Sequence, residues 1–243
     1  MGLFDWIWSN SVSEKVPATY LPGTPEKPLY GLPIGSVGPS NTDLASRIVD
    51  TMRKKGYLVF TEPGEVNIVY VEGMDVDGGI NDDAPDRFND LRLILRFDRG
   101  QPTIVGMWEA TTEPGKYWTH NRMNPKGTAR IAFGQYTAWI VGIHNGNHEG
   151  LVQRAGPVTV HRDTDENYIR PGDPMDTGYF GINHHHGYDL PKDQIGRASA
   201  GCLVGRSISG HQDFMRYVKS DPRYKRNPKF AFTATILPAS EVL

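Results

Sequence analysis

One segment of the chain predicts both a strand and the face on which its polar side chains lie: Tyr179-Phe180-Gly181-Ile182-Asn183-His184-His185-His186-Gly187. Side chains of an extended strand alternate between two faces, so Phe180 and Ile182 are expected to point into a core. Asn183 and His185 then lie together on the opposite, polar face. Gly187 allows the backbone to turn, and the polar loop 189–197 can bring the chain back beside that face.

Further short runs of strand-forming residues are separated by clusters of Gly, Pro, Asn and Asp. This pattern predicts a mainly β fold, an antiparallel sandwich or barrel with one or two short helices. The runs are Tyr57–Phe60, Val66–Val71, Leu91–Phe97, Thr103–Trp108, Ala129–Phe133, Thr137–Ile143, Leu151–Gln153, Val158–Val160, Leu203–Val204 and Phe230–Leu237.

Two segments have the spacing of apolar residues that is typical of helices. Asn41 or Thr42 can cap a helix over about residues 42–55, which ends at Gly56. Its apolar positions recur at intervals of three and four: Leu44, Ile48, Val49 and Met52. A second short helix is predicted over Gln212–Lys219, before Pro222.

The chain of 243 residues divides by composition into an arm and one domain. Prolines and glycines recur through residues 1–40, which predicts an extended N-terminal arm. The length of residues 41–243 predicts a single catalytic domain. The first eight residues, Met1–Trp8, are rich in aromatic side chains. They suit docking to a membrane interface or to a virion component, or packing against the domain itself.

Charge and cysteine content narrow the classes of function. A formal net charge of -2 supplies no overall field for binding nucleic acid, so no nucleic-acid partner is predicted. A single cysteine cannot form an internal disulfide. No apolar run approaches the roughly 20 residues that span a bilayer, and no export signal is recognisable, so we expect synthesis in the cytoplasm without a signal peptide.

The single cysteine, Cys202, ends the small-residue sequence Ser199-Ala200-Gly201-Cys202. A lone cysteine is often a small buried hydrophobe, but a histidine beside it would favour the reactive thiolate. We therefore predict Cys202 as a nucleophile and His185 as its proton carrier, with His186 as the second choice of base. Ser199 and Gly201 are predicted to shape the loop, so that backbone N–H groups near Gly201 can face an oxyanion.

These residues resemble the signature of the L,D-transpeptidases. In that family a His-Gly pair precedes a Ser-His-Gly-Cys motif, and here His185 and Gly187 precede Cys202, which lies 17 residues after His185. The segment Thr112-Glu113-Pro114-Gly115-Lys116-Tyr117 is similar to the family's Thr-Pro-x-Gly-x-Phe/Tyr groove segment. The resemblance covers about residues 57–237 and extends to a branch of phage-encoded relatives with Ser-Ala-Gly-Cys. Ala200 replaces the motif's second histidine, and Glu113 alters the groove pattern.

The resemblance implies an L,D-transpeptidase-like domain and an enzyme that acts on bacterial peptidoglycan. Cys202 would attack a stem-peptide carbonyl and form a thioester, which an amine converts to a cross-link and water hydrolyses. Of these outcomes we favour a lytic enzyme of the phage endolysin or virion lysin type, which acts at the cell wall after release or as a virion component. The residues expected to contact the substrate are Asn183, His144, His186 and Tyr117, and neither a metal nor a cofactor is expected.

Two other interpretations remain open from sequence. A virion structural or wall-binding protein can retain such a fold without turnover, as the loss of a histidine at Ala200 would allow. A metal-dependent hydrolase is the other, because imidazole is a common zinc ligand and the chain offers further histidines at His144, His148 and His161.

Overall fold

Extended strands provide most of the regular structure of residues 43–242, the part of the chain that the computed structural model describes. The mainly β fold predicted from sequence is confirmed. The strands are β1 (Asn67–Glu72), β2 (Asp90–Asp98), β3 (Gln101–Thr111), β4 (Thr128–Ile131), β5 (Gly134–His144), β6 (His148–Gln153), β7 (Val158–Asp163), β8 (Met175–Gly178), β9 (His184–His186), β10 (Leu203–Gly205) and β11 (Phe232–Pro238). The helices are α1 (Leu44–Lys54), α2 (Lys116–His120), α3 (Ile208–Ser220) and α4 (Pro222–Arg226), and a 3₁₀ helix spans Ala239–Glu241.

Eight strands close into a barrel in the order β1-β11-β5-β6-β9-β10-β3-β2. Most neighbours are antiparallel, as predicted, but β1 pairs with β11 and β9 pairs with β10 in parallel. Glu72 at the end of β1 lies beside Pro238 at the end of β11, and Leu203 at the start of β10 lies beside His184 at the start of β9. The remaining registers place all these residues at one end of the barrel. We call it the Cys202 end, because Cys202 directly precedes β10.

The barrel core forms because alternate side chains of each strand point inward. Tyr70 of β1, Trp139 of β5 and Phe214 of α3 are fully buried members of this core. The other face of β1 is buried too, because α1 packs its apolar stripe against it: Ile48, Val49 and Met52 join Val69 and Val71 in a second cluster. Burial on both faces explains why β1 is an almost uninterrupted apolar run.

A separate sheet of three strands, in the order β4-β7-β8, packs on the Cys202 end. Its inner face contributes Ala129, Ile131, Val158 and Val160 to the barrel core cluster. The opposite face of this sheet carries Arg130, which is also buried and whose guanidinium lies 3.5 Å from the Glu72 carboxylate. This sheet therefore covers part of the barrel end at which the candidate site lies.

Two predicted strands are wrong. Residues 179–183 are irregular, because Gly181 has a φ of +73° and the N–H groups of Phe180 and Ile182 donate to the Gln153 side chain. Residues 57–60 are irregular as well, since the N–H of Leu58 donates to the side-chain oxygen of Gln135 rather than to a neighbouring strand.

Both predicted helices are confirmed, with small changes at their ends. Asp43 caps α1 by accepting the N–H of Ser46 at 2.8 Å, whereas the predicted caps Asn41 and Thr42 lie outside the described residues. The second helix, α3, begins at Ile208 because Ser207 caps it. The predicted arm, 1–40, also lies outside the described residues. Between residues 43 and 242, no helix is both long and apolar enough to span a bilayer.

Candidate active site

Cys202 lies on the outer face of the barrel wall, one residue before β10. Leu203 faces the core and pairs with His184, so the preceding Cys202 stands beside Asn183. The Asn183 N–H donates to Cys202 Sγ at 3.5 Å, and the thiol donates to the carbonyl of Gly181 at 3.6 Å. The thiol is half-buried. Its position is therefore fixed by backbone groups of the segment that leads into β9.

Ser199 holds the loop that carries Cys202. Its fully buried hydroxyl accepts the N–H of Gly201 at 3.1 Å and donates to the Cys202 carbonyl at 2.9 Å. Gly201 has a φ of +123°, and a Cβ atom there would lie 2.5 Å from the Ala129 carbonyl oxygen, so only glycine fits. The Gly201 N–H is thus already bonded within the loop. Its predicted freedom to face an oxyanion is wrong for this conformation.

His185 lies on the same side of the wall as Cys202, as strand alternation predicted. It alternates with His184, whose Nδ1 lies 3.2 Å from the Tyr70 hydroxyl inside the barrel. The Nδ1 of His185 lies 2.8 Å from the carbonyl oxygen of His186. A carbonyl can only accept, so Nδ1 carries the proton and the neutral ring has its lone pair on Nε2. This tautomer can take up a proton at Nε2.

The electrostatics of the site favour the neutral forms of Cys202 and His185. Burial raises the pKa of the Cys202 thiol to about 11, against the smaller opposing effect of the hydrogen bond from Asn183. Burial, and then the neighbouring His144, hold the pKa of His185 well below its ordinary value. Among residues 43–242, the Cys202 Sγ hydrogen bonds are with backbone groups and none is with a histidine. These shifts do not support the expected thiolate and imidazolium pair, because the pKa of the thiol is raised and that of the imidazole is lowered.

Asn183 and His144 extend this site. The Asn183 carboxamide accepts the Gln153 N–H through Oδ1 at 2.8 Å, and its Nδ2 lies 3.0 Å from Nδ1 of His144. The His144 ring stacks on His185, with centroids 4.1 Å apart and planes inclined by 16°. Asn183 and His144, both predicted to contact the substrate, therefore lie beside Cys202 and His185. Both are already held by contacts within the protein.

His148, His186 and His211 contact one another through their rings and do not point towards a common ligand position. His186 stacks on His148 at 3.8 Å between centroids, and His211 approaches both rings edge-on at 6.0–6.3 Å. Within the described residues, the groups whose potential ligand atoms all lie within 4.8 Å of one another contain only carboxylates: Glu72, Asp83 and Glu113, and Asp163, Asp165 and Asp173. The histidines, including His161, form no such group.

The predicted groove segment packs directly against the Cys202 loop. The Gly115 N–H donates to the Ser199 carbonyl at 2.9 Å, and the indole N–H of Trp118 donates to the Arg197 carbonyl at 3.0 Å. The Arg197 guanidinium lies 3.8 Å from the centroid of the Tyr117 ring. Tyr117 is therefore placed beside the loop that carries Cys202.

Two residues at the site, Asp86 and Tyr188, were not predicted from the sequence. Asp86 Oδ1 accepts the N–H groups of Lys116 and Gly196, both at 2.8 Å, and so joins the groove segment to the Cys202 loop. Tyr188 is 45% exposed and its ring meets His186 edge-on at 4.6 Å. The only sequence signals were an aspartate in a turn and an aromatic residue after Gly187, and neither is specific.

The described residues thus form a β-barrel domain with a buried-histidine wall and a half-buried cysteine on one face. Comparisons of the chain with protein-family models, with curated proteins and with solved structures find no match. Its function is therefore argued from the geometry of the site.

Proposed function

We propose that this protein is a cysteine acyltransferase or peptidase that acts on peptidoglycan stem peptides, with an L,D-transpeptidase-like domain. One observation carries the proposal: Cys202 and His185 lie on the same face of the paired strands β9 and β10, and the Thr112–Tyr117 segment packs on the Cys202 loop. The three sequence features that resemble the family therefore meet in one place, although they are far apart in the chain.

The proposed reaction begins with proton transfer from the Cys202 thiol to Nε2 of His185, directly or through one water. The sulfur then attacks the stem-peptide carbonyl carbon, and the imidazolium returns the proton to the leaving amine as the C–N bond breaks. The product is a thioester on Cys202. Attack by an amine on this thioester gives a cross-link, and attack by water gives hydrolysis. A lytic role at the cell wall requires the second outcome.

The electrostatics of the site favour a nucleophile that is activated only when substrate is bound. The pKa of the thiol is raised and that of His185 is lowered, both by burial, so little thiolate forms in the free protein. A neutral imidazole is nevertheless a competent general base. Ser199 fixes the Cys202 carbonyl and the Gly201 N–H, which makes it a positioning residue for the loop rather than a catalytic one.

The test is mass spectrometry of purified peptidoglycan fragments incubated with the wild type and with Cys202→Ala. We expect loss or exchange of a stem-peptide residue with the wild type alone. His185→Ala should lower the rate by about 10²–10⁴-fold, the usual contribution of a general base, and His186→Ala by much less. Equal losses in the two histidine variants would contradict the assignment of His185. Unfolding curves identify any variant that merely fails to fold.

A second candidate is a wall-binding protein without turnover. The observation that favours it is the resting state of Cys202, whose thiol is protonated and has no histidine partner among residues 43–242. In that case the fragments would remain unchanged with the wild type. Sedimentation with insoluble peptidoglycan would then be retained in Cys202→Ala.

A further inference from the structure

The hydrogen bonds around His144 determine which of its ring nitrogens carries the proton. Asn183 must present Oδ1 to the Gln153 N–H, 2.8 Å away, so its NH₂ group faces His144 Nδ1 at 3.0 Å. An amide NH₂ can only donate, and Nδ1 of His144 must therefore accept. The proton of the neutral His144 ring is consequently on Nε2.

The second nitrogen of His144 fits this assignment once the Asn145 carboxamide is rotated. As placed, Nδ2 of Asn145 lies 2.9 Å from Nε2, in the turn between β5 and β6, and two NH₂ groups cannot both donate to a neutral imidazole. A 180° rotation of that carboxamide brings Oδ1 to this position, where it accepts the Nε2 proton. His144 is then held at both nitrogens. Its ring, 5% exposed, cannot turn without breaking both contacts.

The fixed ring of His144 lies flat against His185. Their centroids are 4.1 Å apart, and their planes are inclined by 16°. A proton added to His144 Nδ1 would displace the Asn183 contact and put a charge against the neighbouring ring. The two rings therefore favour each other's neutral form, and His185 keeps its Nδ1 proton on the His186 carbonyl at 2.8 Å.

We propose that His144 is a positioning residue for His185: the bonds to Asn183 and Asn145 lock its ring, and the locked ring holds His185 with Nε2 as the acceptor nitrogen. The catalytic meaning of this inference rests on the proposed function, in which Nε2 takes the thiol proton. The inference itself concerns the tautomer and protonation of His185 in the free protein.

Other groups around His185 act in both directions: His148 lowers its pKa, whereas the hydrogen bond to the His186 carbonyl raises it. His148 of β6 and Tyr188 meet the ring at centroid distances of 5.8 and 6.4 Å. His211 of α3 also disfavours its protonation. Asp189 acts on His186 instead, by raising the pKa of that ring against the larger effect of its burial. A change at His144 alone should thus alter the titration of His185 without reversing its direction completely.

Two substitutions separate the stacked ring from the hydrogen-bond acceptor. His144→Phe keeps a flat ring against His185 but offers Asn183 no acceptor, whereas His144→Gln keeps an acceptor and removes the ring. The matched control is His161→Phe, on the outer face of β7. ¹⁵N and ¹³C NMR of the imidazoles in the full chain reports both the tautomer and the pKa of His185.

We expect wild-type His185 to carry its proton on Nδ1 and to stay neutral well below the ordinary histidine pKa of about 6.5. The His161→Phe control should preserve this. His144→Phe should raise the pKa of His185 part of the way towards about 6.5, because its ring lacks the bonds to Asn183 and Asn145, and His144→Gln should raise it further and populate both tautomers. A wild-type proton on Nε2, or an unchanged His185 in His144→Gln, would overturn the inference.

Activity distinguishes this inference from the proposed function. If turnover depends on Cys202, His144→Gln should lose at most about fourfold of kcat/KM at pH 6, because a pKa of about 6.5 leaves about a quarter of His185 unprotonated there, and activity should recover at higher pH. If no turnover is found but the NMR result holds, the proposed function fails and the positioning role stands.

Discussion

The thiol of Cys202 has a reactivity that can be tested without a substrate. Burial raises its pKa to about 11, so the thiolate fraction should be very small at neutral pH. We predict that alkylation by iodoacetamide is slow at pH 7 and rises about tenfold per pH unit until the fold is lost or the pH nears 11. Because Cys202 is the only cysteine, the mass of the intact chain reports its modification alone.

Free cysteine provides the reference for this experiment. Its alkylation rate should level off near its ordinary pKa of about 8.5, well before that of Cys202. A plateau for Cys202 at or below that pH would mean that an imidazolium stabilises the thiolate. That result would contradict the resting state described for the site and would favour an activated nucleophile in the free protein.

The sequence predicted some properties of these residues and missed others, for a physical reason. That His185 points away from the core follows from strand alternation, which is local. The parallel pairing of β9 with β10, which brings Cys202 to the same face, was not predicted. The stack of His144 on His185 requires the β5–β6 turn to approach β9, which no local pattern encodes. The raised pKa of the thiol depends on its burial, a property of the whole fold that local sequence does not show.

Among the elements of the site, the turn at Asp86 has the clearest role. One carboxylate oxygen accepts two N–H groups, from Lys116 in the groove segment and from Gly196 in the Cys202 loop, both at 2.8 Å. Asp86 has a φ of +64°, which glycine and asparagine tolerate. Asp86→Gly therefore removes the acceptor without adding backbone strain, and Asp86→Asn retains an acceptor.

We predict that Asp86→Gly lowers the free energy of unfolding by about 1–3 kcal/mol, the usual net contribution of two hydrogen bonds. Asp86→Asn should lose less than half of that amount. Asp82→Ala, an exposed aspartate nearby, is the control and should change it by less than about 0.5 kcal/mol. Urea denaturation measures all three. Equal losses in the glycine and asparagine variants would show that the two backbone contacts do not stabilise the junction.

Element types were predictable where burial leaves an apolar pattern, as in β1, β2 and α1. The strand β8 was missed because two of its four residues are exposed and it contains no apolar run. Residues 179–183 were assigned to a strand on alternation alone, yet Gln153 takes the place of a neighbouring strand by accepting the N–H groups of Phe180 and Ile182. A single side chain from another element thus decided the local structure.

At the scale of the whole molecule, the Cys202 end of the barrel combines the candidate site with a buried network of charges. Glu72 is paired with Arg170, and the Arg130 guanidinium is paired with Glu113. Thr112 donates to Asp90, whose pKa is raised to about 8 by burial and by the nearby Glu72. Folding therefore buries titratable groups of both kinds, and the stability of the domain should depend on pH.

The histidines determine that dependence below neutral pH. The pKa is lowered, chiefly by burial, in seven of them: His144, His148, His161, His184, His185, His186 and His211. Below about pH 6.5 the unfolded chain binds protons at these positions while the folded domain does not, so stability falls as the pH falls. Three aspartates with raised pKa, Asp83, Asp90 and Asp173, have the opposite effect because the folded domain binds their protons more strongly than the unfolded chain does.

Seven histidines outnumber three aspartates, so we predict a net loss of stability on acidification from pH 6.5 to 5, by at least about 1 kcal/mol per pH unit. Above about pH 7.5 the sign reverses, because the unfolded histidines are then neutral while the folded domain still holds the proton on Asp90, so stability should decline slightly up to about pH 8. Urea denaturation across this range measures both limbs. The acid limb should persist in high salt, since desolvation is not screened as exposed charge pairs are. A free energy of unfolding that stays constant from pH 7 to 5 would mean that the buried histidines bind protons as readily in the folded domain as in the unfolded chain.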